Sequence, residues 1–219
     1  MAKKLHIQHL IAQGEHQQLD FKFEISDAKK IAKTFVAFAN TDGGTLLIGV
    51  KDNGAIAGVR SEEEKFMAES AAKMYCNPEV EFTSKEWVIN KKVVLEIKIP
   101  RGEQQPYRAQ MPDNSWKTYV RVGDQNILAN KILVKALLRK NSPDGTYISY
   151  SENEKCLLTY LEKNPSITFA EFRKLAHISP YEAEKILVNF LALDIIAIEI
   201  SEKETIYKLA DKFTQSNEI

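Results

Sequence analysis

The segment from Phe35 to Val50 constrains the fold most, because an apolar helix ends within it and an apolar strand begins almost at once. Apolar residues recur at helical spacing as far as Ala39, whereas residues 46–50 form the short apolar run typical of a strand buried on both faces. The turn between them contains two glycines, which tolerate left-handed backbone angles and let a ligand or another backbone segment come close. A plain helix-to-strand connection also explains this turn, so only its charged neighbours favour a binding function.

Composition and charge indicate a globular protein without a membrane-spanning segment. The chain has 219 residues, of which 44% are hydrophobic and 27% charged, enough for one large core or two modest ones. No apolar run approaches the ~18 residues that cross a bilayer, and no secretory signal follows Met1, so we expect a cytoplasmic protein. Residues 1–150 carry 22 Lys and Arg against 18 Asp and Glu, and residues 151–219 carry 8 against 12. A modest basic excess attracts phosphate only if it is concentrated on one face.

The sequence assigns no cofactor, no zinc site and no disulfide. Cys76 and Cys156 lack the paired spacing of a disulfide framework or a cysteine zinc site. His6 and His9 are one helical turn apart, but no cysteine or acidic partner completes a ligand set at a recognised spacing. The turn with two glycines lacks the following lysine of a phosphate-binding P-loop, and it precedes a strand rather than a helix. No nucleotide site of the P-loop type is therefore predicted.

Helical and strand patterns predict a mixed-sheet α+β domain over residues 1–141. Ser26 or Asp27 is expected to cap the second helix, and Asn53-Gly54 is expected to form a tight hairpin turn. The predicted helices are a short one before Gly14 and others at 28–39, 61–75 and 127–139; the predicted strands lie at 19–24, 46–50, 55–59, 79–82, 87–89 and 93–99.

Two carboxylates lie where this pattern brings them to one edge of the sheet. Glu15 stands in the loop before the first strand, and Asp20, Lys22 and Glu24 share one face of that strand. Glu15 and Asp20 can therefore converge beside Lys22, as a metal or phosphate site requires. A solvated strand face with outward charges explains the same spacing, so both interpretations stay open.

Two later segments interleave aromatic residues with cations. Tyr107-Arg108 follows a polar loop, and the segment from Trp116 to Gly123 contains Lys117 and Arg121. Such interleaving suits base stacking and phosphate neutralisation, but a half-buried strand shows the same alternation. The pattern alone does not separate these two interpretations.

Five motifs in order along the chain resemble the Schlafen AlbA_2 domain: Gly14-Glu15, Leu19–Lys22, Ala37–Val50, the Gly54–Gly58 hairpin and Tyr119–Gly123. The resemblance covers roughly residues 5–140, and the ordered set is more specific than any one motif. Microbial members are described as DNA-binding proteins or transcriptional regulators, so the resemblance implies DNA or RNA as the partner. We take as candidate nucleic-acid contacts Lys22, Asn40, Gly43, Gly44, Lys51, Arg108, Lys117 and Arg121.

The resemblance also implies an alternative, a metal-dependent ribonuclease. Animal Schlafen domains use an acidic pair and a third acidic residue to cut RNA with a divalent metal, and Glu15 and Asp20 match that pair. The second position holds Asp rather than Glu, which shortens its reach by one methylene group. Asp42 and Asp52 are the candidates for the third position, and Mg or Mn would suit such oxygen ligands. Because animal Schlafen domains pair two such lobes, a chain with one lobe is expected to form a homodimer.

A polar linker at 142–153 is predicted to precede a winged helix-turn-helix domain at 154–212 and a tail at 213–219. Three helices and a hairpin, the winged-helix order, are predicted at Glu154–Lys163, Thr168–Ala176, Pro180–Leu193, Ile195–Ile200 and Thr205–Leu209. The third helix carries Glu182 and Glu184 beside Lys185, and the hairpin turn is acidic on balance, so phosphate would be repelled. A protein partner or dimerisation is therefore as reasonable a role as DNA recognition.

A nucleic-acid-binding transcriptional regulator is the favoured interpretation of the whole chain. The alternatives are a ribonuclease centred on Glu15 and Asp20, and an adaptor whose two domains dock proteins. Steep salt dependence of binding separates the regulator from the adaptor, because neutralising phosphates releases counterions.

Overall fold

The computed structural model describes residues 2–59, 62–143, 145, 150–201 and 203–211, with the backbone alone at 2–4. The chain divides into two compact units, Met1–Ala129 and Asn130–Ile219. Residues 144 and 146–149 of the predicted linker, and the whole predicted tail at 213–219, lie outside the described residues. Within the described part of the chain, no helix is long and apolar enough to cross a bilayer.

The first unit is a mixed α/β fold, as the patterns predict. Its elements are α1 (Ala2–Gln13), β1 (Leu19–Lys22), α2 (Ala28–Ala39), β2 (Gly44–Ile48), α3 (Glu63–Met74), β3 (Cys76–Asn77), β4 (Thr83–Ile89), β5 (Lys92–Ile99), β6 (Arg108–Gln110), β7 (Trp116–Lys117), β8 (Tyr119–Val122) and β9 (Gln125–Leu128). Four strands form a mixed sheet in the order β1-β2-β5-β4, in which only the β1–β2 pair is parallel. A smaller sheet has the order β3-β6-β7, and β8 pairs with β9.

The strand β2 lies inside the mixed sheet and is buried on both of its faces, as its apolar run predicts. Leu46 and Ile48 pack into the core that α2 and α3 cover, whereas Leu47 packs into a second core with Ile7 of α1. The helix α2 has the predicted bounds because Asp27 caps it, accepting a hydrogen bond from the amide of Lys29 at 2.8 Å. Helices on both faces of the sheet therefore hold the turn between α2 and β2 in place.

Two predicted strands of the first unit are not formed. Residues 79–82 contain no strand; Pro78 lacks an amide donor, and Val80 is buried in the core as a single apolar anchor. The predicted return strand at 55–59 is reduced to one bridge between Val50 and Ile56. The reason is that the amides of residues 57 and 58 both bond to the carbonyl of Gly49, which turns the backbone away from a regular ladder.

The second unit contains the predicted three helices and hairpin, preceded by a further helix. Its elements are α4 (Lys131–Lys140), α5 (Glu152–Lys163), β10 (Ile167–Thr168), α6 (Phe169–Ala176), α7 (Pro180–Ala192), β11 (Ile196–Ile200) and β12 (Thr205–Leu209). The strands form an antiparallel sheet in the order β10-β12-β11. The predicted capping box at the start of α6 is present, with Thr168 and Glu171 bonded reciprocally.

The helix α4 belongs to the second unit, whereas the sequence placed it in a first domain ending at residue 141. It begins at Lys131, after the strand β9, because Asn130 caps it by accepting a hydrogen bond from the amide of Leu133 at 2.9 Å. Ala136 is buried in the core of the second unit, against which Ile132 also packs. The boundary therefore falls after Ala129 rather than in the polar segment that follows α4.

Candidate functional site

The acidic pair, Glu15 and Asp20, lies at β1, an edge strand of the mixed sheet. His16 and Leu19 bond to each other through both backbone groups, at 2.9 and 3.1 Å, so the chain folds tightly back before β1. This turn carries the Glu15 side chain over the strand, where its Oε1 accepts a hydrogen bond from the amide of Phe21 at 2.8 Å. The structure thus brings the two carboxylates together across a separation of five residues, close enough for them to share a hydrogen bond.

Burial, more than any other cause, raises the pKa of Glu15 from 4.5 to about 7. The side-chain hydrogen bond with Asp20 raises this pKa further, as does the negative charge of Asp20, whereas the amide of Phe21 and the charge of Lys22 lower it. The Oδ2 atom of Asp20 is buried and lies 3.0 Å from Lys22 Nζ, and a proton on Glu15 would supply a further hydrogen bond to this carboxylate. Glu15 is therefore placed to hold a proton near neutral pH.

Two cations, Lys22 and Arg121, balance the charge of the acidic pair. Lys22 Nζ donates hydrogen bonds to Asp20 Oδ1 at 3.1 Å and to the Phe21 carbonyl at 2.7 Å, and it lies 4.0 Å from Glu15 Oε1. Arg121 Nη2 lies 3.4 Å from Asp20 Oδ1, and these two side chains are only 1% and 3% exposed. The predicted nucleic-acid contacts Lys22 and Arg121 thus neutralise Asp20, and Arg121 is too deeply buried to reach a phosphate.

The structure does not complete a metal site around the acidic pair. Among the residues that the structure describes, no group of three or more His, Cys, Asp or Glu side chains is arranged to hold a metal ion. Asp42 is exposed and its carbonyl accepts a hydrogen bond from Gln18 at 3.0 Å, while Asp52 is exposed in the Lys51–Gly54 turn. Glu15 and Asp20 therefore converge without either candidate for a third carboxylate.

The turn residues Asn40, Gly43 and Gly44 have internal packing roles. Asn40 is buried, and its amide group donates to the carbonyls of Tyr107 and Tyr119 at 2.8 and 2.9 Å and accepts from the amide of Tyr107 at 2.7 Å. Gly43 has a φ of +71° and is buried, with no room for a Cβ beside the backbone at Ile99. The turn fastens β2 and the segments around residues 107 and 119 to α2, and these contacts explain Asn40 and Gly43 without a ligand.

Three of the eight predicted nucleic-acid contacts are exposed cations, namely Lys51, Arg108 and Lys117. Lys51 lies in the turn after β2, with its Nζ 5.7 Å from the ring centroid of Phe23. Arg108 and Lys117 lie on β6 and β7, which are paired strands of the small sheet. Among the eight predicted contacts, Arg108 and Lys117 are therefore the two exposed cations that lie on neighbouring strands.

Two lysine–tyrosine contacts next to this sheet were not identified as a site from the sequence. Lys29 Nζ lies 5.4 Å from the ring centroid of Tyr75, and Lys33 Nζ lies 5.7 Å from that of Tyr119. The two lysines are four residues apart on α2 and so lie on one face of the helix, a spacing visible in the sequence. The tyrosines come from distant segments, so only the fold reveals the contacts.

The fold and the site define a mixed α/β domain with an acidic pair at a sheet edge. The sequence model of the Schlafen, AlbA_2 family matches residues 15–130, more than half of the chain. The chain belongs to this family. The match ends within one residue of the boundary of the first unit at Ala129.

Solved structures that are similar to this chain include the following two. The DIP2311 protein from Corynebacterium diphtheriae is 17% identical, with a TM-score of 0.47, and the match covers 74% of this chain and 39% of that one. The N-terminal domain of an ATP-dependent DNA helicase RecG-related protein from Nitrosomonas europaea is 22% identical, with a TM-score of 0.41, and the match covers 59% and 95% respectively. This chain therefore spans well under half of the DIP2311 chain. No curated protein matches it.

Proposed function

We propose that the chain is a nucleic-acid-binding protein of the transcriptional-regulator type, with its AlbA_2 unit contacting phosphates. The observation that carries this proposal is the exposure of Arg108 and Lys117 on paired strands of the small sheet. Among the described residues, neither cation forms an ion pair with a carboxylate, so both can contact phosphate. Membership of the Schlafen AlbA_2 family supports the same function.

For the second unit we propose a winged helix that supplies specificity or assembly rather than phosphate affinity. Glu184 of α7 is 3.2 Å from Lys131 Nζ and also pairs with Lys135, so α4 neutralises this acidic residue. The exposed residues near the start of α7 include Tyr181, which is 78% exposed, and Lys185. An exposed aromatic beside a single cation suits a protein partner or a second copy of the chain. Light scattering that shows a strict monomer would contradict the homodimer.

The test is a gel-shift measurement with labelled transfer RNA and with duplex DNA, each with and without Mn and at increasing salt. We expect a shift that weakens steeply as salt rises, without cleavage of either probe, because phosphate contacts release counterions. Absence of any shift at low salt would instead favour the protein-interaction adaptor.

A double variant, Arg108→Glu with Lys117→Glu, tests which residues carry the binding. Losing two phosphate contacts should weaken binding to every sequence alike and lower the salt slope by about two. Lys65→Glu is the matched control, because Lys65 is exposed in the first turn of α3, where an acidic residue is compatible with the helix dipole. An unchanged affinity in the double variant would refute this assignment of the contacts.

The acidic pair favours a second candidate, the metal-dependent ribonuclease. Glu15 and Asp20 converge as that hypothesis requires, but Lys22 and Arg121 already neutralise them and no third carboxylate joins them in the described residues. Cleavage that requires Mn and disappears in Glu15→Gln with Asp20→Asn would make the ribonuclease the primary function. Cleavage that survives both substitutions would exclude this site as its source.

A further inference from the structure

The small sheet and the neighbouring helix α2 carry a set of lysines and aromatic rings, which we call the lysine–aromatic surface: Lys29, Lys33, Tyr75, Trp116, Lys117 and Tyr119. We infer that this surface binds single-stranded nucleic acid, with its lysines on phosphates and Trp116 stacked on an unpaired base. The inference rests on the proposed function and names its substrate class. Of these six residues, sequence analysis identified only Lys117 as a candidate contact.

The lysines of this surface are held in a row. Lys29 and Lys33 are one turn apart on α2, about 6 Å along the helix axis, and each ammonium group lies over a tyrosine ring. Tyr119 is fixed in turn, because its hydroxyl contacts the sulfur of Met111 at 3.3 Å. Lys117 ends β7, two residues before Tyr119, so it lies close in the chain to the residue whose ring Lys33 contacts.

The lysines of this row form no ion pair with a carboxylate of the described residues. Lys22, Lys98 and several lysines of the second unit each form one, whereas Lys29, Lys33 and Lys117 do not. Asp113 keeps its negative charge, because hydrogen bonds from Ser115 lower its pKa, and the charge of Lys117 lowers that pKa further. Asp113 therefore offsets part of the charge of Lys117, and Lys29 and Lys33 add to the attraction for a chain of phosphates.

The exposed tryptophan points to a single strand rather than a duplex. Trp116 is 38% exposed and lies on β7, the edge strand of the small sheet. Because side chains alternate along a strand, Trp116 and Lys117 leave the backbone on opposite sides. A strand of nucleic acid that follows this edge meets a stacking ring on one side and a phosphate contact on the other. The paired bases of a duplex do not offer a free face to such a ring.

The experiment measures binding of the full chain to oligo(dT), oligo(U) and a duplex of the same length. Trp116→Ala should weaken single-strand binding by roughly 5- to 150-fold, the range measured for loss of one stacked base, and leave duplex binding unchanged. Trp116→Phe should retain most of the affinity because a phenyl ring still stacks. Phe66→Ala removes another exposed aromatic residue of the same unit and should change neither affinity.

Tryptophan fluorescence gives an independent measurement on the same samples. The chain has two tryptophans, and the other, Trp87, is buried with its Nε1 donating to Glu96 at 2.8 Å. Single strands should therefore quench the emission of Trp116, and Trp116→Phe should abolish the quenching. Quenching by oligo(U) compared with oligo(dU), which differ only in the 2′-hydroxyl group, distinguishes RNA from DNA.

The outcomes separate this inference from the proposed function. If Trp116→Ala loses the same affinity for single strands as for duplex, or loses none for either, the single-strand inference is wrong. Salt-dependent duplex binding would still support the proposed function. Binding to none of the three probes would overturn both. The melting temperature of Trp116→Ala is the control for folding. If it equals that of the wild type, a loss of affinity is not caused by unfolding of the variant.

Discussion

At the scale of single residues, the buried pair of Asp20 and Arg121 limits what the acidic site can bind. Both residues are 2% exposed, and Arg121 also donates to the carbonyl of Leu19 at 3.2 Å and to Asn126 Oδ1 at 3.1 Å. Its guanidinium group lies 5.2 Å from the ring centroid of Phe38. An arginine that is buried among this many internal partners stabilises the fold and is not accessible to a ligand.

Removing this arginine should destabilise the protein before it affects binding. Arg121→Met leaves Asp20 as a buried charge with one cation fewer, and breaking such pairs typically costs about 3–5 kcal/mol of unfolding free energy. Urea unfolding followed by circular dichroism measures the loss. Lys117→Met should change stability by less than about 0.5 kcal/mol because that lysine is exposed. A similar small effect for Arg121→Met would contradict the structural role.

Glu15 should make stability depend on pH in a defined window. Its folded pKa of about 7 lies above its ordinary value of 4.5, so the folded state keeps a proton that the unfolded state releases. The free energy of unfolding contributed by this group is fully present below pH 4.5 and is lost as pH rises to about 7. Glutamine at position 15 stays neutral at every pH. The melting temperature of Glu15→Gln minus that of the wild type should therefore increase as pH is raised from 4.5 to about 7.

The carboxyl titration of Glu15 can be followed directly by nuclear magnetic resonance. We expect a midpoint near pH 7 in the wild type and a lower midpoint in Asp20→Asn, because Asp20 raises the pKa through a hydrogen bond and through its charge. Burial remains in that variant, so the midpoint should stay above 4.5. An unchanged midpoint in Asp20→Asn would show that burial alone sets the pKa.

The sequence predicts the convergence of Glu15 and Asp20 because their separation is short and a strand pattern begins between them. It does not predict the position of Arg121, which lies on β8, about a hundred residues after Asp20. The alternating pattern around Arg121 in the sequence is the same as that of a strand with exposed cations. Asn40 illustrates the same limit, since its partners Tyr107 and Tyr119 are distant in sequence. Local spacing reveals local pairs, whereas the partners of buried polar groups depend on tertiary packing.

At the scale of secondary-structure elements, the connection from α2 to β2 requires a residue without a side chain at its end. A Cβ built on Gly44 would lie 2.4 Å from two ring carbons of Phe38, which is fully buried. Gly44→Ala should therefore destabilise the protein by about 1–3 kcal/mol, the usual cost of overpacking a core. Differential scanning calorimetry of this variant measures the effect.

The control for this prediction replaces Phe38, whose ring a Cβ at position 44 would contact, with a smaller side chain. Phe38→Leu alone creates space in the core and is itself destabilising. If steric conflict is the cause, Gly44→Ala should cost less in the Phe38→Leu background than in the wild type. Equal costs in both backgrounds would point to the backbone rather than to the ring.

Elements with strong local signals are predicted best. The bounds of α2 follow from a polar cap, an apolar stripe and the turn that ends it, and they agree with the structure. The strands of the small sheet contain only two or three residues each, too few for alternation to appear, so the sequence does not reveal the sheet that carries Trp116. The helix α4 was assigned to the wrong unit because the polar segment after it resembles a linker more than the short connection before it.

At the scale of the whole molecule, the unit boundary changes the charge argument. Residues 1–150 have a net charge of +4 and residues 151–219 have a net charge of −4. The four cations of α4, however, belong to the second unit. Residues 1–129 carry 18 Lys and Arg against 17 Asp and Glu, and residues 130–219 carry 12 against 13. Neither unit is strongly basic, so nucleic-acid affinity must come from where the cations lie and whether carboxylates neutralise them.

Affinity for nucleic acid should therefore reside in the first unit and be insensitive to the second. Lys185 and Lys203 are exposed cations of α7 and of the β11–β12 hairpin, the two elements that a winged helix usually turns to DNA. Replacing both with Glu should leave duplex affinity and its salt slope unchanged, because Lys185 follows Glu182 and Glu184 in the sequence and Lys203 stands between two glutamates. Binding isotherms at several salt concentrations measure both quantities, with Arg108→Glu and Lys117→Glu in the first unit as the matched pair. A drop in slope of about two for the second-unit pair would show that these cations contact phosphates and that the second unit binds DNA.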